Sequence, residues 1–364
     1  MAGQNLTAAS HQWATRPDDQ RFPSMEALKQ AVLSRKHESW TATPQVRDLR
    51  VLPAADNNLV LDVYDPTHGG RRMLEPTHWA FSQLAQYAQA PASYIRKLPA
   101  ELAAINLQWG LERTPMRDDT LVLGRSNGCH ELRAMTSTSY GRIWDYQVVQ
   151  AVERVNATGR WEIPAASYAT TNPKRATTLY ASDRDVFIFL VDAKHPIEVP
   201  GEDSPMFRGF YTWNSEVGSQ VFGLSTFLYR YVCDNRIIWG ATDVRELRIR
   251  HTSGAPDRFA YEGQQYLNRY ADESTARIIE QVQAAKAKEL DVPKGKDGIS
   301  QWLQQRGFTK TESVGADNAR EQDGGGRSVW DVINGVTAYA RSISHTDARV
   351  ALESKAGKLM DMVA

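Results

Sequence analysis

Hydrophobic residues fall into short runs along the chain that predict alternating helices and strands. Residues 24–33 carry apolar side chains at helical spacing after Ser24, which can cap a helix. Residues 46–51 and 58–64 show the two-residue alternation of strands, and three short helices are predicted between about residues 76 and 112. The N-terminal third is therefore predicted to mix both kinds of element.

The middle of the chain is rich in predicted strands. Residues 120–123 and 132–135 flank a Ser-Asn-Gly turn, and residues 177–180 and 186–191 flank a second turn, so each pair predicts a hairpin. Residues 186–191 are apolar throughout, which indicates a strand covered on both faces. The other predicted elements are a helix at 145–156, strands at 209–217 and 220–224, a helix from Ser225 to about 232, and a strand at 244–249.

From residue 255 the pattern becomes helical. The predicted fold class is α+β, with a curved antiparallel sheet packed by helices and a mainly helical C-terminal region. Residues 309–328 carry almost no apolar side chains and include three consecutive glycines, which is typical of a linker. The predicted segments are a flexible N-terminal arm at 1–23, an α+β core domain at 24–254, a helical extension at 255–305, a flexible linker at 306–327 and C-terminal helices at 328–364.

Composition limits the classes of partner. The 364 residues include 43 basic and 43 acidic side chains, so a uniformly basic nucleic-acid coat is excluded and any polyanion must meet a local patch. The longest apolar run has six residues, whereas a membrane span needs about 20. The first residues lack the apolar stretch of a signal peptide, and we expect a protein of the cytoplasm of a bacterial host cell with no membrane partner.

Motifs of common enzymes are absent from the sequence. It contains no phosphate-binding Gly-x-x-x-x-Gly-Lys loop and no Gly-x-Ser-x-Gly, and its eight histidines never pair at helical spacing. The two cysteines cannot supply a four-ligand zinc site. We therefore expect no catalytic residues, no metal site and no cofactor.

Aromatic and basic residues alternate between residues 207 and 251. This stretch contains six arginines and four acidic residues. Single-stranded nucleic acid is bound by cations that contact phosphates and by flat rings on which bases stack. The same pattern is also typical of a buried core, so both interpretations stay open.

Several sequence blocks resemble a known family. The block Asn214-Ser215-Glu216-Val217-Gly218, followed by residues 228–235, is similar to the phage/plasmid-like protein family known as domain of unknown function 932. Residues 79–84, 90–99 and 133–143 also fit this family, and the resemblance spans about residues 24–255. The order of elements is similar to that of single-strand annealing proteins, which implies an oligomer, a ring or a filament, with DNA along a basic groove. Glu216 is expected to have a structural role, as a cap or as a partner of Arg230.

These observations lead to one main hypothesis and two alternatives. The main hypothesis is a non-enzymatic homo-oligomer of phage or plasmid type that binds and anneals single-stranded DNA in recombination or replication. The alternatives are a protein-interaction module of a mobile element that acts on host machinery, and, ranked last, a cryptic nuclease. The predicted DNA contacts are Arg133, Arg142, Lys174, Arg175, Arg208, Arg230, Arg248 and Arg250, with Tyr211 and Trp213 as stacking rings.

Overall fold

The structure is a computed structural model. It describes residues 17–113, 119–163, 177–202, 205–230, 236–237, 247–272, 274–292, 297–322, 324–342, 352 and 355–360. The described residues form two antiparallel-rich sheets and a helical C-terminal region. The predicted α+β class is confirmed, with two sheets in place of one.

The first sheet has six strands from the N-terminal part of the chain. They are Ser39–Ala42 (β1), Arg50–Pro53 (β2), Leu59–Tyr64 (β3), Arg71–Pro76 (β4), Leu121–Ser126 (β5) and His130–Thr136 (β6). Their order is β1-β5-β6-β4-β3-β2, and β4 pairs with β6 in parallel while the other neighbours are antiparallel. The hairpin β5–β6 confirms the turn predicted from the Ser-Asn-Gly sequence.

Helices cover this sheet where the sequence predicts them. After α1 (Met25–His37), the chain forms α2 (His78–Tyr87), α3 (Ala92–Ile95) and α4 (Ala100–Arg113). Side chains cap three of these helices. Ser24 accepts a hydrogen bond from a backbone N–H in the first turn of α1, and Thr77 does the same in α2. At the start of α4, Asn57 accepts the Ala100 N–H. Helices α2, α3 and α4 bury their apolar faces in one core with the first sheet.

The second sheet is antiparallel throughout. Its strands are Leu179–Ala181 (β7), Val186–Val191 (β8), Met206–Asn214 (β9), Phe222–Arg230 (β10), Arg236–Ile237 (β11) and Leu247–Ile249 (β12). The order is β11-β10-β9-β8-β7, and β12 pairs with the beginning of β10. All six residues of β8 are buried, which confirms the strand predicted to be covered on both faces. Helix α1 and helix α5 (Asp145–Val155) pack against one face.

The C-terminal region forms a third core with the end of the second sheet. Its helices are α6 (Ala255–Arg258), α7 (Gln264–Ala271), α8 (Thr275–Ala287), α9 (Gly298–Gln304), α10 (Lys310–Gln322) and α11 (Val329–Ser342), and residues 355–360 are also helical. A π-helical turn at Phe259–Gly263 joins α6 to α7.

The flexible linker predicted at 306–327 is wrong, because most of it is helix α10. Thr309 and Glu312 form a reciprocal capping box, in which each side chain accepts the other residue's backbone N–H. Small residues then let α10 approach α11 closely, since a Cβ on Gly315 would lie 2.2 Å from the Tyr339 ring. The segment is polar because its contacts use small side chains and a buried ion pair in place of large apolar groups.

Two other predictions are corrected. The helix predicted from Ser225 is wrong, because residues 222–230 continue as strand β10, which pairs with β9 over its length. The N-terminal arm does not reach residue 23, because the Phe22 N–H donates to the Leu179 carbonyl and Thr177 donates to the Phe22 carbonyl. Residues 1–16 of the predicted arm lie outside the described residues.

Candidate nucleic-acid interface

Three of the arginines predicted to contact DNA are buried. Arg133, Arg142 and Arg208 are 3%, 8% and 4% exposed. Arg133 belongs to β6 and pairs with Glu216, and the Arg208 guanidinium donates to Thr275 on α8. A guanidinium held inside the protein has no surface to offer a phosphate, so the assignment of these three residues to a DNA groove is corrected.

The two predicted stacking rings belong to the core. Tyr211 and Trp213 are 1% and 4% exposed, and their ring centroids lie 5.4 Å apart on β9. Phe187 on β8 also stacks on Tyr211, with centroids 5.7 Å apart. Gly223 on β10 leaves the space that the Trp213 ring fills, because a Cβ there would lie 2.0 Å from the ring. The aromatic pattern was therefore that of a core, and no base can stack on these rings in this fold.

The remaining predicted contacts have different positions. Arg248 and Arg250 are exposed on either side of the buried Ile249, which agrees with the prediction that they share one face of a strand. Arg230 ends β10, where its backbone is in register with Met206 of β9. Lys174 and Arg175 lie outside the described residues.

The block Asn214–Gly218 forms a buried ion network at the end of β9. The Glu216 carboxylate lies 2.8 Å from the Arg133 guanidinium and accepts the Asp145 N–H at 2.9 Å, so it caps α5. The Glu216 carbonyl accepts from Arg142, and Asn214 donates to the Asp145 carboxylate at 2.8 Å. Glu216 therefore has the structural role that the sequence indicated, as a cap, with Arg133 as its ionic partner.

The two buried carboxyls of this network have opposite pKa shifts. Burial and the neighbouring Glu216 raise the pKa of Asp145 well above its usual value, against the pull of Arg35. Burial acts to raise the pKa of Glu216 as well, but Arg133 and Arg35 outweigh it and the pKa is lowered. The network therefore favours one ionised carboxylate, on Glu216.

The same loop connects the second sheet to helix α2, which packs on the first sheet. The Val217 carbonyl accepts from Trp79 at 3.0 Å and from Gln83 at 2.8 Å, both on α2. Gly218 has φ of +81°, a left-handed conformation that favours glycine, as the chain turns beside Tyr140. The loop, which we call the 214–218 loop, therefore fixes the position of α2 relative to the β7–β8 turn.

Two exposed arginines, Arg96 and Arg184, come together around this loop with the exposed His78, and we call these three residues the cationic surface. Arg184 lies in the β7–β8 turn, and its carbonyl accepts from Ser215 of the 214–218 loop at 2.6 Å. His78 begins α2, and its carbonyl accepts from Arg96 at 2.7 Å. The residues are distant in sequence, so no local pattern could reveal the surface.

Electrostatics shows that these cations are neighbours. Arg96 and, after burial, Arg184 lower the pKa of His78, while Asp183 acts to raise it, so the positive charge of the surface belongs to the two arginines. Burial and Arg184 lower the pKa of Arg96. Because the two arginines disfavour each other's ionised forms, an anion placed between them is favoured, and the neighbouring Asp183 offsets part of this attraction.

Aromatic rings accompany the cationic surface. The Arg96 guanidinium lies 4.7 Å from the Phe81 ring centroid, and Tyr94 is 58% exposed on the neighbouring helix α3. An arginine that already rests on a ring presents a flat, cationic face outward. The aromatic and basic pattern between residues 207 and 251 predicts the same combination of groups in another part of the chain.

The second exposed pair, Arg248 and Arg250, comes directly before a residue that is connected to the same loop. His251 follows this pair, and its ring stacks on Tyr140 with centroids 4.9 Å apart. Tyr140 in turn donates to the Ser215 carbonyl at 2.8 Å. Burial lowers the pKa of His251 to about 4, so this histidine is a neutral structural contact.

Fold and site define an α+β protein with exposed cations grouped around a buried ion network. The chain belongs to the family described as domain of unknown function (DUF932), whose model matches residues 142–350. The match includes the 214–218 loop and extends through the C-terminal helices, beyond the predicted limit near residue 255, and it begins after the N-terminal blocks. No curated protein and no solved structure matches the chain.

Two further properties of the described residues bear on function. No group of three or more His, Cys, Asp or Glu side chains among them could hold a metal ion. Among the same residues, no helix has the length and apolar character needed to span a membrane.

Proposed function

We propose that this protein binds single-stranded DNA without sequence preference, in annealing during recombination or replication. The observation that carries the proposal is the cationic surface, where His78, Arg96 and Arg184 are brought together from three separate segments. Single-strand binding needs cations for phosphates and rings for bases, and the Phe81 ring against Arg96 and the exposed ring of Tyr94, two residues earlier in the chain, are the rings nearest in sequence and contact.

Arg248 and Arg250 extend this interface. The contacts from His251 through Tyr140 to Ser215 connect the segment that follows these two arginines with the 214–218 loop, which supports including them. A strand of nucleic acid that crosses the loop would meet Arg184 and these two arginines. The interface is local, which agrees with the zero net charge of the chain.

The test is a fluorescence-anisotropy titration of the full-length protein with a labelled single-stranded oligonucleotide at about 50 and 200 mM salt. The double variant Arg96→Ala/Arg184→Ala is expected to weaken binding to all sequences. Each lost phosphate contact should reduce the slope of log K against log salt by about 0.7. Arg248→Ala/Arg250→Ala should reduce it by a similar amount.

Arg306→Ala is the matched control, because Arg306 is exposed and stacks on a ring, Trp302, but lies on the helical C-terminal region. It should leave affinity and salt slope unchanged. A protein that is folded but does not bind DNA at low salt would refute the proposal and favour the protein-interaction alternative. Metal-dependent loss of the labelled strand would support a nuclease instead.

A further inference from the structure

Helix α4 carries a second apolar face that points to solvent. Its inner residues pack in the core of the first sheet, but Leu102, Ile105 and Trp109 are 50%, 64% and 62% exposed. Their spacing of three and four residues places them in one stripe along the helix. A continuous exposed stripe of this kind marks an interaction surface more often than scattered apolar residues do.

An open groove of about 450 Å³ runs beside this stripe, between α4 and strand β2. Leu52 and Pro53 form its far wall, and Ile105 and Trp109 form its near wall. Glu101 and Glu112 lie along its length as the acidic members of the lining. The apolar stripe and the groove thus lie side by side on one surface. The stripe of one molecule can therefore pack into the groove of a second molecule.

The groove does not accept an added β-strand, although β2 is an edge strand. Gln108 of α4 accepts the Val51 N–H at 2.9 Å and donates to the Leu49 carbonyl at 3.3 Å. Pro53 has no N–H to offer. Since the edge is protected in this way, the occupant that fits is a helix.

We propose that the occupant is α4 of a second copy of this chain, packed antiparallel across a two-fold axis. Ile105 and Trp109 are placed symmetrically about residue 107, so in this arrangement Ile105 of one copy lies opposite Trp109 of the other. Glu101 precedes Ile105 by four residues and Arg113 follows Trp109 by four. The same symmetry therefore brings Arg113 of one copy to the level of Glu101 in the other, at both ends of the interface.

The position of Arg113 supports this pairing. Its guanidinium lies 3.3 Å from the Trp109 ring centroid and 3.4 Å from the Glu112 carboxylate, and its side chain is 50% exposed. The Arg113 guanidinium thus lies at the C-terminal end of the apolar stripe, where it can pair with a carboxylate from the N-terminal end of a partner helix. Glu101 at one end of the stripe and Arg113 at the other would form two ion pairs across the two-fold axis, in competition with the Glu112 carboxylate that Arg113 contacts within its own chain. This inference does not depend on DNA binding.

The first test measures the mass of the full-length protein by sedimentation velocity and light scattering between about 1 and 100 µM. We expect a species of twice the 40.9 kDa chain mass. Ile105→Glu places a carboxylate in the centre of the apolar contact in both copies and should weaken dimerisation about a hundredfold or more. Tyr261→Glu is the matched control, because Tyr261 is 69% exposed on the π-helical turn, and it should leave the mass unchanged.

The second test is a charge swap. Glu101→Arg alone and Arg113→Glu alone should each weaken the dimer about tenfold, because each places like charges opposite one another. The double variant restores opposite charges and should recover most of the wild-type affinity. Both sites are exposed, so circular dichroism should show an unchanged fold for every variant.

The outcomes separate the possible occupants. A single 40.9 kDa species at all concentrations would overturn the proposal, as would a dimer that Ile105→Glu leaves intact. A double charge variant no tighter than the single variants would overturn the antiparallel arrangement. DNA binding by a monomer would leave the proposed function standing while this inference fails.

Discussion

The buried pair Arg133–Glu216 provides the most direct test of the site geometry. Unit charges 2.8 Å apart interact by about 6 kcal/mol at an effective dielectric constant of about 20. Desolvation of both groups cancels part of this value, so the pair itself contributes less. Removing only one partner leaves the other charge buried and typically costs about 3–5 kcal/mol.

Glu216→Gln and Arg133→Met are therefore expected to lower the free energy of unfolding by about 3–5 kcal/mol each. Gln keeps an acceptor for the Asp145 N–H, so the loss reports the charge and not the cap. In the double variant, the loss in free energy of unfolding should be about 2 kcal/mol smaller than the sum of the two single losses, because neither charge of this pair is left unpaired.

The assay is urea unfolding followed by far-UV circular dichroism and by tryptophan fluorescence, so that two probes test for a single transition. Arg125→Met is the matched control. Arg125 pairs with Glu38 at 2.7 Å on the same sheet, but both side chains are about a quarter exposed, so its loss should cost about 1 kcal/mol or less. Equal losses for the buried and exposed pairs, or strict additivity in the double variant, would refute the reasoning.

Three further predictions address pH dependence and packing. The pKa of Asp145 is raised in the folded state, so between pH 3.8 and that raised pKa the folded protein binds more protons at this site than the unfolded protein does. The contribution of Asp145 to the free energy of unfolding therefore falls as the pH rises. Asp145→Asn should be less destabilising at about pH 8 than at about pH 5 when both are measured by urea unfolding. Gly110→Ala should lower the melting temperature and cost about 2 kcal/mol despite the better helix propensity of alanine, because the new Cβ would lie 2.1 Å from the Ala88 carbonyl oxygen. Arg320→Ala should cost about 3 kcal/mol in urea unfolding, because it leaves Asp317 buried without its partner at 2.6 Å.

Controls exist for these changes as well. Gly254→Ala meets no atom within 4 Å and should leave the melting temperature nearly unchanged. Arg306→Ala removes an exposed arginine from the same region as Arg320 and should be close to neutral. A neutral Arg320→Ala would contradict the packed position of α10, and an equal loss for Asp145→Asn at both pH values would contradict the raised pKa.

Local patterns predict most of the elements of this fold. Ser24 before an apolar stripe marks the start of α1, and Pro91 and Pro99 directly precede helices α3 and α4. The uniformly apolar β8 is buried on both faces, as its sequence indicates. These predictions succeed because each depends on residues a few positions apart.

The failures share a physical cause, which is that tertiary contacts override local preference. Ser225 begins no helix because β9 supplies a partner along the whole of β10, and the polar residues of α10 are helical because α11 lies close to them. The aromatic pattern that predicts Tyr211 and Trp213 as surface rings is equally typical of a core, and both side chains are buried. The cationic surface depends on three distant segments, so only the folded chain reveals it.

The 214–218 loop also bears on where this protein can be divided. The family match begins at residue 142, yet the residues that satisfy the loop from the first sheet and α2 precede that position: Arg133, Trp79 and Gln83. A fragment cut at the family boundary would keep the buried Glu216 carboxylate and discard its Arg133 counter-charge, and the Val217 carbonyl would lose both donors. The preceding segment is therefore a structural part of the folded family region, and we expect expression of residues 142–350 alone to give an aggregation-prone chain.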